Sequence, residues 1–183
     1  VCWMIRKCVY SSCASIDTII TGDDRVANNN KILITYESGT ESTEKLAQVI
    51  AEGIRKVEGV SVDLKRARDV TPEDAVSANG YAFGTHSASM YMEGELRILF
   101  EKLSPVKDKL SGKPVLLFTT GQGGQDAALV SLDKIVGVLN PHWIKPGMAI
   151  KGMPGEADKV KAIEMGEKLA DAVTKIKSKY IVA

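Results

Sequence analysis

The sequence predicts an α/β fold in which helices cover both faces of a parallel sheet. Three observations predict it. Strand and helix periods alternate from Lys31 onward, giving five strands. Two of those strands, KILITY (31–36) and PVLLFTT (114–120), are continuous apolar or β-branched runs of the kind buried on both faces. The loops after the first, third and fourth strands are all rich in Gly, Ser and Thr. Right-handed crossovers would connect the strands.

The elements follow in order. After KILITY, Leu46, Val49, Ile50 and Ile54 share one face of a helix over about Thr43–Val57. SVDLKRA (61–67) is a more polar strand, suited to a sheet edge. Thr71-Pro72-Glu73-Asp74 starts a helix, with a hydroxyl cap, proline in the first turn and acids favoured by the dipole. Tyr81–Thr85 is a short strand, and the helix beyond it turns Leu96, Leu99, Phe100 and Leu103 inward. PVLLFTT leads through GQGGQ into a helix over about Gln125–Leu139, and a fifth strand lies in HWIKPGMAI. The last helix, about Glu156–Lys177, repeats Val160, Ile163, Leu169, Val173 and Ile176 at helical spacing. Lys175, Lys177 and Lys179 complement its dipole and need no partner.

Length and composition narrow the function. The 183 residues suffice for one domain with a substantial core, and 44% hydrophobic with 26% charged residues is ordinary globular composition. A formal net charge of +1 supplies no global field for nucleic acid or an anionic membrane. No apolar run approaches a membrane span, so the chain reads as a cytoplasmic protein outside the membrane. Cys2, Cys8 and Cys13 are the only cysteines, and their spacing fits no metal-ligand pattern. No metal site is expected.

Residues 1–29 read as an N-terminal extension, disordered or a non-native leader, ahead of a domain over 30–183. The stretch lacks a clear period. Thr21-Gly22-Asp23 is compatible with a purine-rich, ribosome-binding-like stretch, and Val26 with a GTG start. Removing residues 1–25 is therefore expected to leave the fold intact.

In open parallel sheets, ligands bind beyond the carboxyl ends of the strands. Here that edge carries ESGTEST, THSASMYM and TGQGGQ. A helix start offers unpaired N–H groups and partial positive charge, which suits a phosphate. Ser38, Thr40, Ser42 and Thr43 add hydroxyl donors, and the first loop holds no Lys or Arg. A Walker loop is absent, since Thr43-Glu44-Lys45 is not its GK[ST] end. The Rossmann fingerprint is missing after the first strand, and a phospho-accepting receiver would need Asp where Gly84-Thr85 stand. Ser/Thr runs before helices also serve simply as caps. Three such loops on one edge favour a ligand site.

From Lys31 to Thr174 the chain resembles the flavodoxin-like family, which binds flavin mononucleotide (FMN). Ser38-Gly39-Thr40-Glu41-Ser42-Thr43 follows that family's phosphate loop, with Glu41 where glycine is usual. Phe83-Gly84-Thr85-His86-Ser87-Ala88-Ser89-Met90-Tyr91-Met92 resembles the flavin-contacting loop of the NAD(P)H:quinone oxidoreductase branch, of the Trp-repressor-binding-protein type. Phe118-Thr119-Thr120-Gly121-Gln122-Gly123-Gly124-Gln125 resembles its third flavin loop. The resemblance implies strand order 2-1-3-4-5 and FMN held by residues 38–43, by Thr85, His86, Ser87, Ala88, Ser89 and Met90, and by Thr119, Thr120, Gly121, Gln122 and Gly123.

It also implies electron transfer through a non-covalent flavin, with a redox partner protein as donor or acceptor. The alternative is an enzyme acting on NAD(P)H and quinone, with which a homodimer is compatible. Against that branch, Ile150 passes to Ala157 through KGMPGE without the usual insertion, and Leu103–Pro114 is short and lacks its tryptophan. Against the carriers, which are typically acidic, this chain is near neutral. His86 is either a flavin-edge group or a solvated loop histidine. His142 stands where some quinone-reductase relatives place a flavin-directed histidine from a neighbouring subunit. Tyr91 is the aromatic candidate to cover the ring, and Trp143 reads as packing or a subunit contact.

Overall fold

The computed structural model describes residues 30–37 and 39–181, with side chains described up to 176. The leader reading of residues 1–29, the phosphate contact expected of Ser38, and the side chains of Lys177 and Lys179 lie outside the described residues. Five strands form one parallel sheet in the order β2-β1-β3-β4-β5. They are β1 (Asn30–Glu37), β2 (Val60–Arg66), β3 (Gly80–His86), β4 (Pro114–Gly121) and β5 (His142–Lys151). The helices are α1 (Glu41–Arg55), α2 (Pro72–Ser77), α3 (Gly94–Leu103), α4 (Lys107–Leu110), α5 (Gln125–Val136) and α6 (Glu156–Ile181). This is the expected α/β architecture and the strand order that the resemblance implied.

Each strand divides its side chains between two cores. Ile32, Ile34 and Tyr36 of β1, with Leu116 and Phe118 of β4, meet α1 and α6. Leu33, Tyr81, Phe83, Val115 and Leu117 meet the layer containing α2, α3 and α5. Tyr81 and Phe83 stack at 5.5 Å between ring centroids, and Phe100 of α3 closes edge-on against Phe83 at 5.0 Å. All eight residues of β4 are buried, as its unbroken apolar run requires. The start of α2 carries the expected capping box: Asp74 N donates to Thr71 Oγ1 at 3.2 Å, and Thr71 N donates to Asp74 Oδ2 at 3.0 Å. Beneath it, Lys113 Nζ donates to Val76 O, Ala78 O and Tyr81 Oη, and burial pulls this ammonium down to about 8.

The sheet rims differ in chemistry. On β2, Lys65 lies 3.5 Å from Asp63 and 2.8 Å from Asp74, and Lys31 of the neighbouring strand lies 3.0 Å from Asp63. On β5, Lys145 and Pro146 are exposed, and the pairing with β4 shifts register between Leu116 and Phe118.

The last helix departs from its expected face. Its buried stripe includes Ala162, Met165, Leu169, Ala170 and Val173, while Val160 is 59% exposed and Ile163 and Ile176 are only partly buried. Close helix approach sets the face. A Cβ on Gly166 would collide with the carbonyl oxygen of Ile50, and one on Gly53 with that of Ile163. Small residues let α1 and α6 touch backbone to backbone, and that contact rather than the largest side chains decides what faces inward.

Candidate functional site

The helix α1 begins at Glu41, two residues before the expected start, with Thr40 extended at the N-cap position (φ −132°, ψ 158°). The Thr40 hydroxyl makes no capping bond to the helix. It lies instead 2.9 Å from Ser42 Oγ, which in turn lies 3.0 Å from Thr120 Oγ1. Thr43 Oγ1 lies 2.7 Å from the same Thr120 hydroxyl. Simple helix capping therefore does not account for these residues. They form a hydroxyl chain that ties the first turn of α1 to the end of β4. Thr43 and Thr120 are fully buried and Ser42 nearly so, whereas Gly39, Thr40 and Glu41 are exposed.

The loops after β3 and β4 are joined at their roots. Ser87 N donates to Thr120 O at 2.8 Å, continuing the β3–β4 ladder past the strand end. Thr85 and Thr119 point to the opposite face of the sheet and are fully buried. There Thr85 Oγ1 accepts from Glu93 N at 2.9 Å, and Thr119 Oγ1 donates to Gln125 O at 2.9 Å. These two threonines fasten their loops from behind. Gly121 and Gly124 pack directly against the β3 loop: a Cβ on Gly121 would lie 2.9 Å from Ser87 Cβ, and one on Gly124 3.0 Å from Met90 Cγ. Gly124 has φ 78°, a conformation that favours glycine. Gln122 and Gly123 are exposed at the turn.

Ala88 to Tyr91 form a tight two-residue turn, with reciprocal backbone bonds of 2.8 and 2.9 Å between the end residues. Its central residues Ser89 and Met90 have φ 50° and 69°. Such turns favour Asn-Gly, because a β-carbon at positive φ crowds the following carbonyl. Met90→Gly should therefore raise stability by about 1 kcal/mol, read as a urea midpoint moved upward at unchanged slope. An unmoved or lowered midpoint would refute the strain. The turn holds Met90 and Tyr91 at 64% and 69% exposure.

At the ends of β3 and β4, three polar atoms are buried without a hydrogen-bond partner: His86 Nδ1, Ser87 Oγ and Gln125 Oε1. Such groups are normally paired, so their clustering at the ends of β3 and β4 marks a place prepared for polar partners. Gln125 closes the GQGGQ motif and is the first residue of α5, where the sequence places the helix start; its buried Oε1 was not among the expected contacts. The loop after β5 was not among the expected site loops. Gly152 N donates to Gly121 O at 2.7 Å, bringing that loop alongside the others. Its neighbour Met153 lines a shallow hollow with Glu41, Glu44, Lys45 and Gln48 of α1.

Charge near the α1 start is largely paired. Arg66 donates to Glu44 Oε2 at 3.2 Å, lies 3.9 Å from Glu37 and sits 5.7 Å above the Tyr36 ring. Burial and the neighbouring Glu44 push the Tyr36 hydroxyl up. His142 is exposed at the start of β5, opposite Pro114, and so stands at the other end of the sheet from these loops. Trp143 packs against the second core, with Lys145 Nζ 4.4 Å from its ring centroid. A concavity of about 960 Å³ lies beside the corner and not in it. It is an open groove between α3 and α5 lined by Met90, Tyr91, Arg97, Val130 and Lys134. The described residues contain no cluster of three metal-ligating side chains, and no helix long and apolar enough to cross a membrane.

No family model matches the chain. It is similar to a flavodoxin of Aquifex aeolicus, with 30% identity over 106 residues, 56% of this chain and 57% of that protein. The match thus spans little more than half of that relative. An NAD(P)H dehydrogenase (quinone) of Chromohalobacter salexigens is 27% identical over 151 residues, 68% of this chain and 72% of that protein. Among solved structures, a flavodoxin from the domain Archaea superposes with a TM-score of 0.72 at 19% identity, covering 79% of this chain and 99% of that one.

Proposed function

Taking the chain as flavodoxin-like in fold and in its sequence relatives, we propose that it is an FMN-binding redox protein passing electrons to or from a protein partner. The observation that carries the proposal is the convergence, at one sheet edge, of the α1 start with the β3 loop and the glycine-bearing β4 loop, whose roots hold three buried polar atoms without a hydrogen-bond partner. The residues fit the cofactor. The exposed backbone of Gly39–Glu41 and the α1 dipole suit its phosphate. Ser87 Oγ and Gln125 Oε1 would pair with polar edges of the ring, and Gly123, with nothing within 4 Å of its Cβ position, leaves the β4 turn open to a flat ligand.

When bound, the flavin supplies the one- and two-electron chemistry. The chain's part is to hold and orient it. The hydroxyl chain from Thr40 to Thr120 fixes the first turn of α1 against β4, and the Ser87–Thr120 bond fixes the β3 loop against the same strand. Both ends of the ligand are thereby referenced to one rigid strand. The Ala88–Tyr91 turn presents an exposed tyrosine and methionine at the rim, a surface suited to a docking protein.

The test is fluorescence titration of apoprotein with FMN. Thr40→Ala should weaken binding by about 1.5–3 kcal/mol through loss of a donor to a dianion. Equal affinity of Thr40→Ala and parent would remove the phosphate assignment. The second reading, an FMN-dependent NAD(P)H:quinone oxidoreductase, is favoured by the 72% coverage of the quinone dehydrogenase. Stopped-flow mixing separates the two. Loose nicotinamide positioning should leave NAD(P)H oxidation slow; rapid bleaching, with reoxidation by quinone, would reverse the ranking.

A further inference from the structure

We propose that His86 supplies the positive charge that the phosphate corner otherwise lacks, so that FMN binding takes up a proton. The inference rests on the FMN reading above and adds a specific residue and a pH dependence to it. His86 is paired in register with Thr120, and paired residues of parallel strands project to the same side. Thr120 reaches the α1 side, since its hydroxyl meets Ser42 and Thr43. Thr85, one residue earlier, projects to the α3 side. His86 therefore projects toward the start of α1, not toward the α3 face. Its Nδ1 is buried there with no partner, and once the ring is protonated this nitrogen is a donor available to a phosphate oxygen.

The other charges around it do not fill this role. The loops over 87–93, 122–124 and 152–155 contain no Lys or Arg. From β2, Arg66 is engaged by Glu44 of α1 and Glu37 of β1. Glu41 and Lys45 of α1, Asp126 of α5 and Lys151 of β5 are exposed to water, and Glu93 of the β3 loop is held by its backbone N–H to Thr85 on the α3 side. Imidazole is the side chain whose charge ordinarily changes near neutral pH, and an adjacent phosphate dianion favours its charged form. The bound state then holds more protons than the free state, and affinity must rise as pH falls.

The test is titration of apoprotein with FMN and with riboflavin between about pH 6.5 and 8.5. It compares the parent, His86→Asn and His86→Ala. In the parent, the preference for FMN over riboflavin should grow as pH falls, by up to about tenfold per pH unit for one linked proton. In His86→Asn, which keeps a donor near the place of Nδ1 without its charge, only the phosphate's own titration should remain. His86→Ala should show the same weak pH dependence with a smaller preference throughout. Identical pH profiles of parent and His86→Asn would overturn the proposal while leaving FMN binding intact. A parent that binds neither flavin at any pH would overturn the FMN reading, and this proposal with it.

Discussion

Gly166→Ala should destabilise the protein by about 2–3 kcal/mol, although alanine is intrinsically the better helix former by about 1 kcal/mol. The added methyl group meets the backbone carbonyl of Ile50, which no rotamer change can move. Relief requires α1 and α6 to separate, loosening Leu46, Ile50 and Ile54 against Met165, Leu169 and Val173. Gly94→Ala is the control: nothing lies within 4 Å of its Cβ, and the change should be neutral or stabilising. Urea denaturation of the two variants decides the matter. Gly166→Ala as stable as parent would mean that the crossing is not this tight. Because α1 carries the candidate phosphate corner at its other end, its displacement should also weaken FMN binding.

The second large effect is expected at Thr120. Thr120→Val keeps the shape and removes the hydroxyl on which Ser42 and Thr43 converge. Removing one member of a buried hydrogen-bonded set costs about 1–3 kcal/mol. Thermal unfolding should show that loss, and FMN titration should show binding weakened by about tenfold, since the first turn of α1 loses its tether. Thr120→Ser should restore both. Parent-like FMN affinity in Thr120→Val would mean that the hydroxyl chain does not organise the corner.

The strands and their loops were legible because burial on both faces leaves unbroken apolar runs, and β1 and β4 have them. The edge position of β2 followed from its alternating charges, and the capping box of α2 from Thr71 and Asp74. Other features left no such trace. The buried face of α6 is set by Gly166 and Ala162, residues too small to register in a hydrophobic period. The side to which His86 points depends on register with Thr120, which is non-local. The loop after β5 joins the site through a backbone bond from Gly152, and backbone bonds carry no residue signature. The positive φ of Met90 runs against its residue type, so local preference argued for the wrong conformation there.

The two sheet rims have a consequence for the chain at high concentration. A foreign strand approaching β2 meets Asp63 and Lys65, whose charges would have to be stripped of water and of each other before pairing. One approaching β5 meets Pro146, which has no N–H to offer, and a shifted register that breaks the row of backbone groups. Among the described residues, both rims thus oppose the open-ended sheet growth that leads to fibrils. Partial unfolding on heating would first have to release a central strand, β1, β3 or β4, from neighbours on both sides. Self-association of the folded chain is thus steered to its helical faces, where Ile98 of α3 and Val130 of α5 stand exposed.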